Sequence, residues 1–266
     1  MSKELTKDNV IRHKKQAIKQ LNNLLEMYIN NPDGKFLKKA DLLSYWLENF
    51  SDYIKNETTF NPQGLISYKR GDVIKLNFGF NVGSEHGGMH YAIVLDSNNL
   101  HSSPVVTVIP LSSGTADSTY RRDVFLGQEL YIKLNAKHKL LLENTVNKIN
   151  ENDALAQALD YTLHEFQKTE PSSDKTERIK LLISDLSKRV EEAQRDLELL
   201  KKYKKEISHM KQGSTALMEQ ITTISKMRIY VPKKSTDILY GISFSPEAMD
   251  KVSKQLLNLY LKTNNS

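Results

Sequence analysis

Apolar residues recur at helical spacing from Asp8 to Ile29, through Ile11, Ile18, Leu21, Leu24, Leu25 and Tyr28. They do so again from Phe36 to Lys55, through Leu37, Ala40, Leu43, Trp46, Leu47, Phe50 and Ile54. Asn31-Pro32-Asp33-Gly34 breaks the two, because proline disfavours helix in the residue before it and glycine tolerates positive φ. The pattern predicts an N-terminal helical hairpin with Trp46 on its apolar stripe, and Asn56 to Leu65 as the linker that follows. From Arg70 the character changes. Asp72 to Phe78 and Tyr91 to Leu95 read as β runs flanking the polar loop Gly83-Ser84-Glu85-His86-Gly87-Gly88. A third run, Val105 to Leu111, ends in the hydroxyl pair Ser112-Ser113, and Asp123 to Leu134 reads as a strand pair turning near Gly127.

Helical periodicity then returns, from about Ala136 to Lys168 and from about Lys175 to Lys211, with Glu170-Pro171-Ser172-Ser173-Asp174 between. In the second of these, Ile179, Ile183, Leu186, Val190, Ala193, Leu197, Leu200, Tyr203, Ile207 and Met210 alternate at steps of four and three, with one local slip. Such a heptad seam calls for a partner helix, and the first helix offers Leu142, Val146, Ile149, Leu155, Leu159, Thr162 and Phe166. An antiparallel coiled-coil hairpin with an arm on the order of 50 Å follows. β character resumes at Thr215 to Ser225, with Met227 to Val231 and Ile238 to Ile242 as shorter apolar stretches. Ser245 caps a last helix that has Pro246 in its first turn. The expected layout is α+β: a helical hairpin in 1–60, a first β part in 66–135, an inserted coiled-coil hairpin in 136–212, and a second β part with the closing helix in 213–266.

Composition narrows the chemistry. With 266 residues, 39% of them hydrophobic, the chain can bury a core. The absence of Cys excludes disulfides, thiolate metal sites and Cys nucleophiles, and suits a reducing compartment. MSKELTKDNVIRHKK carries no apolar signal core, and no run approaches the roughly 18–20 apolar residues of a membrane span, so a cytoplasmic protein is expected. A net charge of +6 favours a polyanionic partner such as nucleic acid. The cluster Lys201-Lys202-Tyr203-Lys204-Lys205 can meet phosphates, though exposed lysines are ordinary on a coiled coil. His and carboxylates show no ligand spacing such as HExxH, so neither a metal nor another cofactor is expected. Gly83 to Gly88 lacks the GK[ST] ending and following helix of a phosphate-binding loop.

The stretch RGDVIKLNFGFNVGSEHGG, followed by an apolar strand, resembles the opening of the PemK/MazF family of bacterial toxins. Val105 to Ser113 is similar to the family's strand ending in a small hydroxyl residue. Ser214 to Arg228 (STALMEQITTISKMR) and the helix to Leu261 resemble its later segments. The resemblance covers about Ser67 to Leu134 and Ser214 to Leu261, and omits both helical hairpins. It implies a small SH3-like β barrel, a homodimer, cleaving single-stranded RNA without a metal through the neighbouring 2′-hydroxyl. It also implies an antitoxin that blocks the RNA groove.

Carried over position by position, the family's catalytic Thr falls on Ser112, and its catalytic Arg on His90, with Tyr91 in place of the usual Pro. Substrate contacts fall on Ser84, Glu85, His86, Glu219 and Gln220, with Arg121 and Arg122 as the nearest cations by sequence. Arg supplies charge without losing its proton, whereas His can act as base or acid near neutral pH. His90 can therefore take the proton transfer, with His86 as a possible second partner, and Ser112 can donate to the phosphate. The same replacement also fits a catalytically inactive RNA-binding module, and the helical additions fit a protein-interaction module. A further reading has the N-terminal helices covering the RNA groove in cis.

Overall fold

The computed structural model describes residues 5–117, 122–168 and 173–261. The chain divides into two compact units, Met1–Phe60 with Asn77–Met89, and Asn61–Leu76 with His90–Ser266.

In the first unit, Thr6 caps α1 (Lys7–Ile29) by accepting from the amide of Asn9. The chain reverses at Gly34, whose φ of +61° suits glycine, and enters α2 (Leu37–Asn56). Tyr28 and Phe36 stack at 5.2 Å across the turn. The expected hairpin therefore forms, but its helices bury little: Ala40 and Leu43 are the buried residues of α2, and α1 has none.

The second unit is a rolled antiparallel sheet with helices on its outer side. Its strands are β1 (Val73–Asn77), β2 (Met89–Val94), β3 (Val105–Ser113), β4 (Val124–Phe125), β5 (Ser214–Ala216), β6 (Thr222–Ser225) and β7 (Ile229–Val231), ordered β4-β5-β3-β2-β1-β7. The one-residue ends of β1 and β2, Asn77 and Met89, fall in the first unit. β3 changes partner along its length: Val105–Val108 pair with β6 and Leu111–Ser113 with β5. That exchange bends the sheet. Side chains alternate across it, so Val73, Ile93, Ile109, Leu111 and Ala216 point outward into the main core. Ile74, Leu76, Ala92, Val94, Val106 and Val108 point inward and are fully buried inside the roll.

The helices of this unit are α3 (Glu129–Gln167), α4 (Ser173–His209) and α5 (Pro246–Tyr260). Leu130, Leu134, Tyr203, Ala248, Met249 and Val252 from these three helices complete the outer core. Ser245 caps α5, accepting from Ala248 and donating to Glu129 at 3.0 Å. The mixed α+β class is as expected. No helix among the described residues is long and apolar enough to cross a membrane.

Two local expectations are corrected. Residues 123–134 are not a strand pair: β4 is two residues long, Gly127 turns the chain at φ +69°, and α3 starts at Glu129. Leu130 and Leu134 reach the core four residues apart, which is helical spacing. The face of α3 that meets α4 also differs from the apolar stripe. Leu159 is buried as the stripe predicts, but Thr145 and Asn152 are buried as well, while Leu142 and Val146 remain exposed. Burial of Thr145 is tolerated because its hydroxyl donates to the Leu141 carbonyl at 2.7 Å.

Candidate functional site

The β2–β3 register pairs Ala92 with Pro110, Ile93 with Ile109 and Val94 with Val108. The pairing itself ends at Ala92 and Pro110; counted on two residues, the register brings His90 level with Ser112 and Tyr91 level with Leu111. β3 in turn pairs Ser112 with Thr215, and β5 pairs Thr215 with Phe125. Because directly opposed residues share a face, His90, Ser112 and Thr215 form one row, with Phe125 at its end. The row continues the inward face of the roll to its rim. The adjacent row of Tyr91, Leu111, Ala216 and Val124 faces the outer core, as its packing there confirms.

Along the rim row accessibility varies. His90 and Ser112 are half-buried, whereas Thr215 is 5% exposed. The Ser112 hydroxyl lies 3.5 Å from the Ser113 carbonyl, too far for that contact to fix it. Thr215 is a second hydroxyl residue beside Ser112 that sequence reading missed. Its only sequence signal is its place in the Ser214-Thr215-Ala216 run.

Behind the rim, Tyr91 is held by a charged pair. Its hydroxyl donates to the Glu206 carboxylate of α4, and Lys75 of β1 reaches the same oxygen at 2.5 Å. The Lys75 ammonium also lies 5.3 Å from the centre of the Tyr91 ring. Burial first, and then Glu206, push the Tyr91 phenol well above its ordinary range. The residue that follows His90 is thereby tied to the helical hairpin.

A second group forms where β4 begins. Arg122 and Glu219 make a 2.7 Å ion pair with both side chains about half exposed. Next to them, Asp123 accepts from the Met218 amide, so Met218-Glu219-Gln220 is anchored as a single 3-10 turn. Gln220, half-buried, belongs to that turn. Thus the expected residues Arg122 and Glu219 come together, with each satisfying the other's charge. Arg121 lies outside the described residues.

Ser84, Glu85 and His86 belong to the first unit. There the loop closes on itself: the Phe78 amide donates to Gly88 at 2.8 Å and the Gly88 amide to Gly79 at 2.7 Å. Gly87 is required by space, since a Cβ at that position would come within 2.8 Å of the Gly79 carbonyl oxygen. Glu85 accepts from the Val82 amide at 3.2 Å, Asn81 donates to the His86 carbonyl at 2.7 Å, and the His86 ring meets Phe78 edge-on at 5.3 Å. Ser84 is exposed.

Compared with protein-family models, residues 69–168 match the family described as PemK-like, MazF-like toxin of type II toxin-antitoxin system. The matched segment runs from β1 through α3 and stops before β5. No curated protein matches the chain. The glycine loop, His90 and Ser112 all lie in this matched segment, which is similar to the PemK-like, MazF-like toxin family.

Proposed function

We propose that the chain is the toxin of a toxin–antitoxin or defence system and acts as an endoribonuclease on single-stranded RNA. What supports this reading is the β2–β3 register in the matched toxin segment, which, counted on two residues from Ala92 and Pro110, brings His90 level with Ser112. In the proposed reaction His90 takes the proton of a ribose 2′-hydroxyl as that oxygen attacks the adjacent phosphorus. The P–O5′ bond breaks and the leaving 5′-oxygen takes up a proton from solvent water, giving a 2′,3′-cyclic phosphate and a 5′-hydroxyl end. Ser112 donates a hydrogen bond to a phosphate oxygen as charge accumulates there. Arg122 is the cation assigned to the phosphate, and binding RNA requires it to turn from Glu219. Loop residues Ser84, Glu85 and His86, together with Gln220, Glu219 and Arg121, are assigned to RNA contacts by the family resemblance. No metal ion or other cofactor has a part in this scheme. The protein is assigned to the bacterial cytoplasm, as a homodimer restrained by an antitoxin.

The replacement of the family pattern's Arg by His90 favours one second reading, a sheet that binds RNA without cutting it. Incubating purified protein with a mixed-sequence single-stranded RNA pool in the presence of a chelator separates the two. Cleavage to 5′-hydroxyl ends supports the nuclease. Salt-sensitive binding with intact RNA supports the binding module.

A further inference from the structure

The last turns of α4 are basic on one side. Tyr203, Ile207 and Met210 pack into or against the core, and Glu206 on the same side meets Tyr91 and Lys75. At about 100° of rotation per residue, Lys201, Lys202, Lys204 and Lys205 all stand about 100–160° round the helix from Tyr203. They therefore share the outer half of α4, where all four are exposed. Lys211, also exposed, follows the end of the helix. From Leu199 to Gly213 the one acid in the sequence is Glu206, turned inward and about four-fifths buried. Lys201 meets Glu198 at 2.6 Å, while Lys204, Lys205 and Lys211 make no ion pair among the described residues.

Charge is divided unevenly along the α3–α4 hairpin. Residues 133–148 and 196–211, its end next to the sheet, hold nine Lys against four acids, a surplus of five where that of the whole chain is six. Residues 149–195 hold ten acids against seven Lys and Arg. The helix dipole does not account for this, because it favours cations only in the last turn, and in α4 that turn carries His209. The basic face also leads to the rim row. Lys211 lies three residues before Ser214, where β5 begins, and the Gly114 amide just past β3 donates to the Gly213 carbonyl at 3.3 Å. Thr215 then pairs with Ser112. From Lys211 back to Lys201 the lysines extend about 15 Å away from that strand end.

We propose that the outer face of α4 from Lys201 to Lys211 is a second RNA-binding surface, which holds the phosphate backbone of a single strand outside the rim row. This part of the chain lies beyond the segment that matches the toxin family. Lysines with no carboxylate between them neutralise phosphates and release their counterions. A lipid surface would call for apolar side chains among the charges, whereas the outer half of α4 between Lys201 and Lys211 carries Ser208 and His209. The proposal takes RNA as ligand from the nuclease reading but does not require the RNA to be cut.

A single-stranded RNA of about sixteen nucleotides with 2′-O-methyl groups throughout lacks the attacking hydroxyl, so its binding is read whether or not the protein is a nuclease. Its affinity for the full-length chain is measured by fluorescence anisotropy across a salt series. Changing Lys201, Lys202, Lys204 and Lys205 together to Gln should weaken binding at least about tenfold and make the salt slope shallower by about two to three units. Arg at the same four positions should retain binding. Changing Lys168, Lys175, Lys180 and Lys188 to Gln removes as much charge from the outer part of the hairpin and should leave affinity within about twofold. Equal losses from the two sets of changes, no loss from the first, or no RNA binding by wild type would overturn the proposal. So would binding of phosphatidylserine vesicles or polyglutamate as tight as that of RNA and lost with the same four lysines. The expected binding pattern beside an unmodified RNA that stays intact would count against the nuclease reading and leave this surface standing.

Discussion

The hydroxyl of Tyr91 on β2 donates to the carboxylate of Glu206 on α4, across 115 positions of sequence, and Lys75 holds the same oxygen. Both charged side chains are about four-fifths buried. Removing one partner therefore strips a buried carboxylate of a hydrogen bond. Tyr91→Phe should cost about 1–2 kcal/mol, read as a lower urea midpoint at unchanged slope. Combined with Glu206→Gln it should fall short of the sum of the single changes by roughly 1 kcal/mol, because the pair acts together.

Ser112 is half-buried at a strand end, and among the described residues no contact fixes its hydroxyl. Ser112→Ala should leave stability within about 0.5 kcal/mol. RNA cleavage by the same variant should fall on the order of a hundredfold, as loss of one phosphate donor does. Ser112→Thr, which keeps the hydroxyl, should retain activity.

Arg122 and Glu219 pair on the surface, where such pairs contribute little. Arg122→Ala should leave the thermal midpoint within a degree or two. RNA affinity, measured by titration across a salt series, should weaken and its salt slope become shallower by about one unit.

Stability should also respond to alkaline pH, with two signs. Burial lowers the pKa of Lys226, partly opposed by Asp96, and burial lowers that of Lys137. The unfolded chain then binds more protons than the native one below the ordinary lysine value of about 10.4, and stability rises with pH through that window. Burial raises the phenols of Tyr68 and Tyr91, so above about pH 10 the native state keeps protons the unfolded chain loses and stability falls. Urea midpoints from pH 7 to 11 should pass through a maximum. Lys226→Met should flatten the rising limb.

The hydrophobic pattern made most elements legible, because alternation and helical spacing are direct records of which face is buried. The Pro246 helix start was legible too, since Ser245 makes the cap its residue type suggests. Residues 123–134 misled because β-prone Val124 and Phe125 stand beside Gly127, while the deciding fact is that Leu130 and Leu134 reach one core. The seam on α3 was legible in part: Leu159 is buried as expected, but apolarity also pointed to Leu142 and Val146, where Thr145 and Asn152 are buried instead. The candidate site was legible only as separate residues. That His90 comes level with Ser112 emerges only when the β2–β3 register is counted on from Ala92 and Pro110, which no local pattern encodes, and Thr215 beside Ser112 comes from beyond both long helices. The bond between Tyr91 and Glu206 left no sequence signal.

The central claim is tested most directly by mapping the ends produced when purified wild type, His90→Ala and His90→Arg meet a mixed-sequence single-stranded RNA in chelator. The account predicts 5′-hydroxyl fragments from wild type and none from His90→Ala. Intact RNA with wild type, and cleavage appearing only when Arg is placed at position 90, would contradict it.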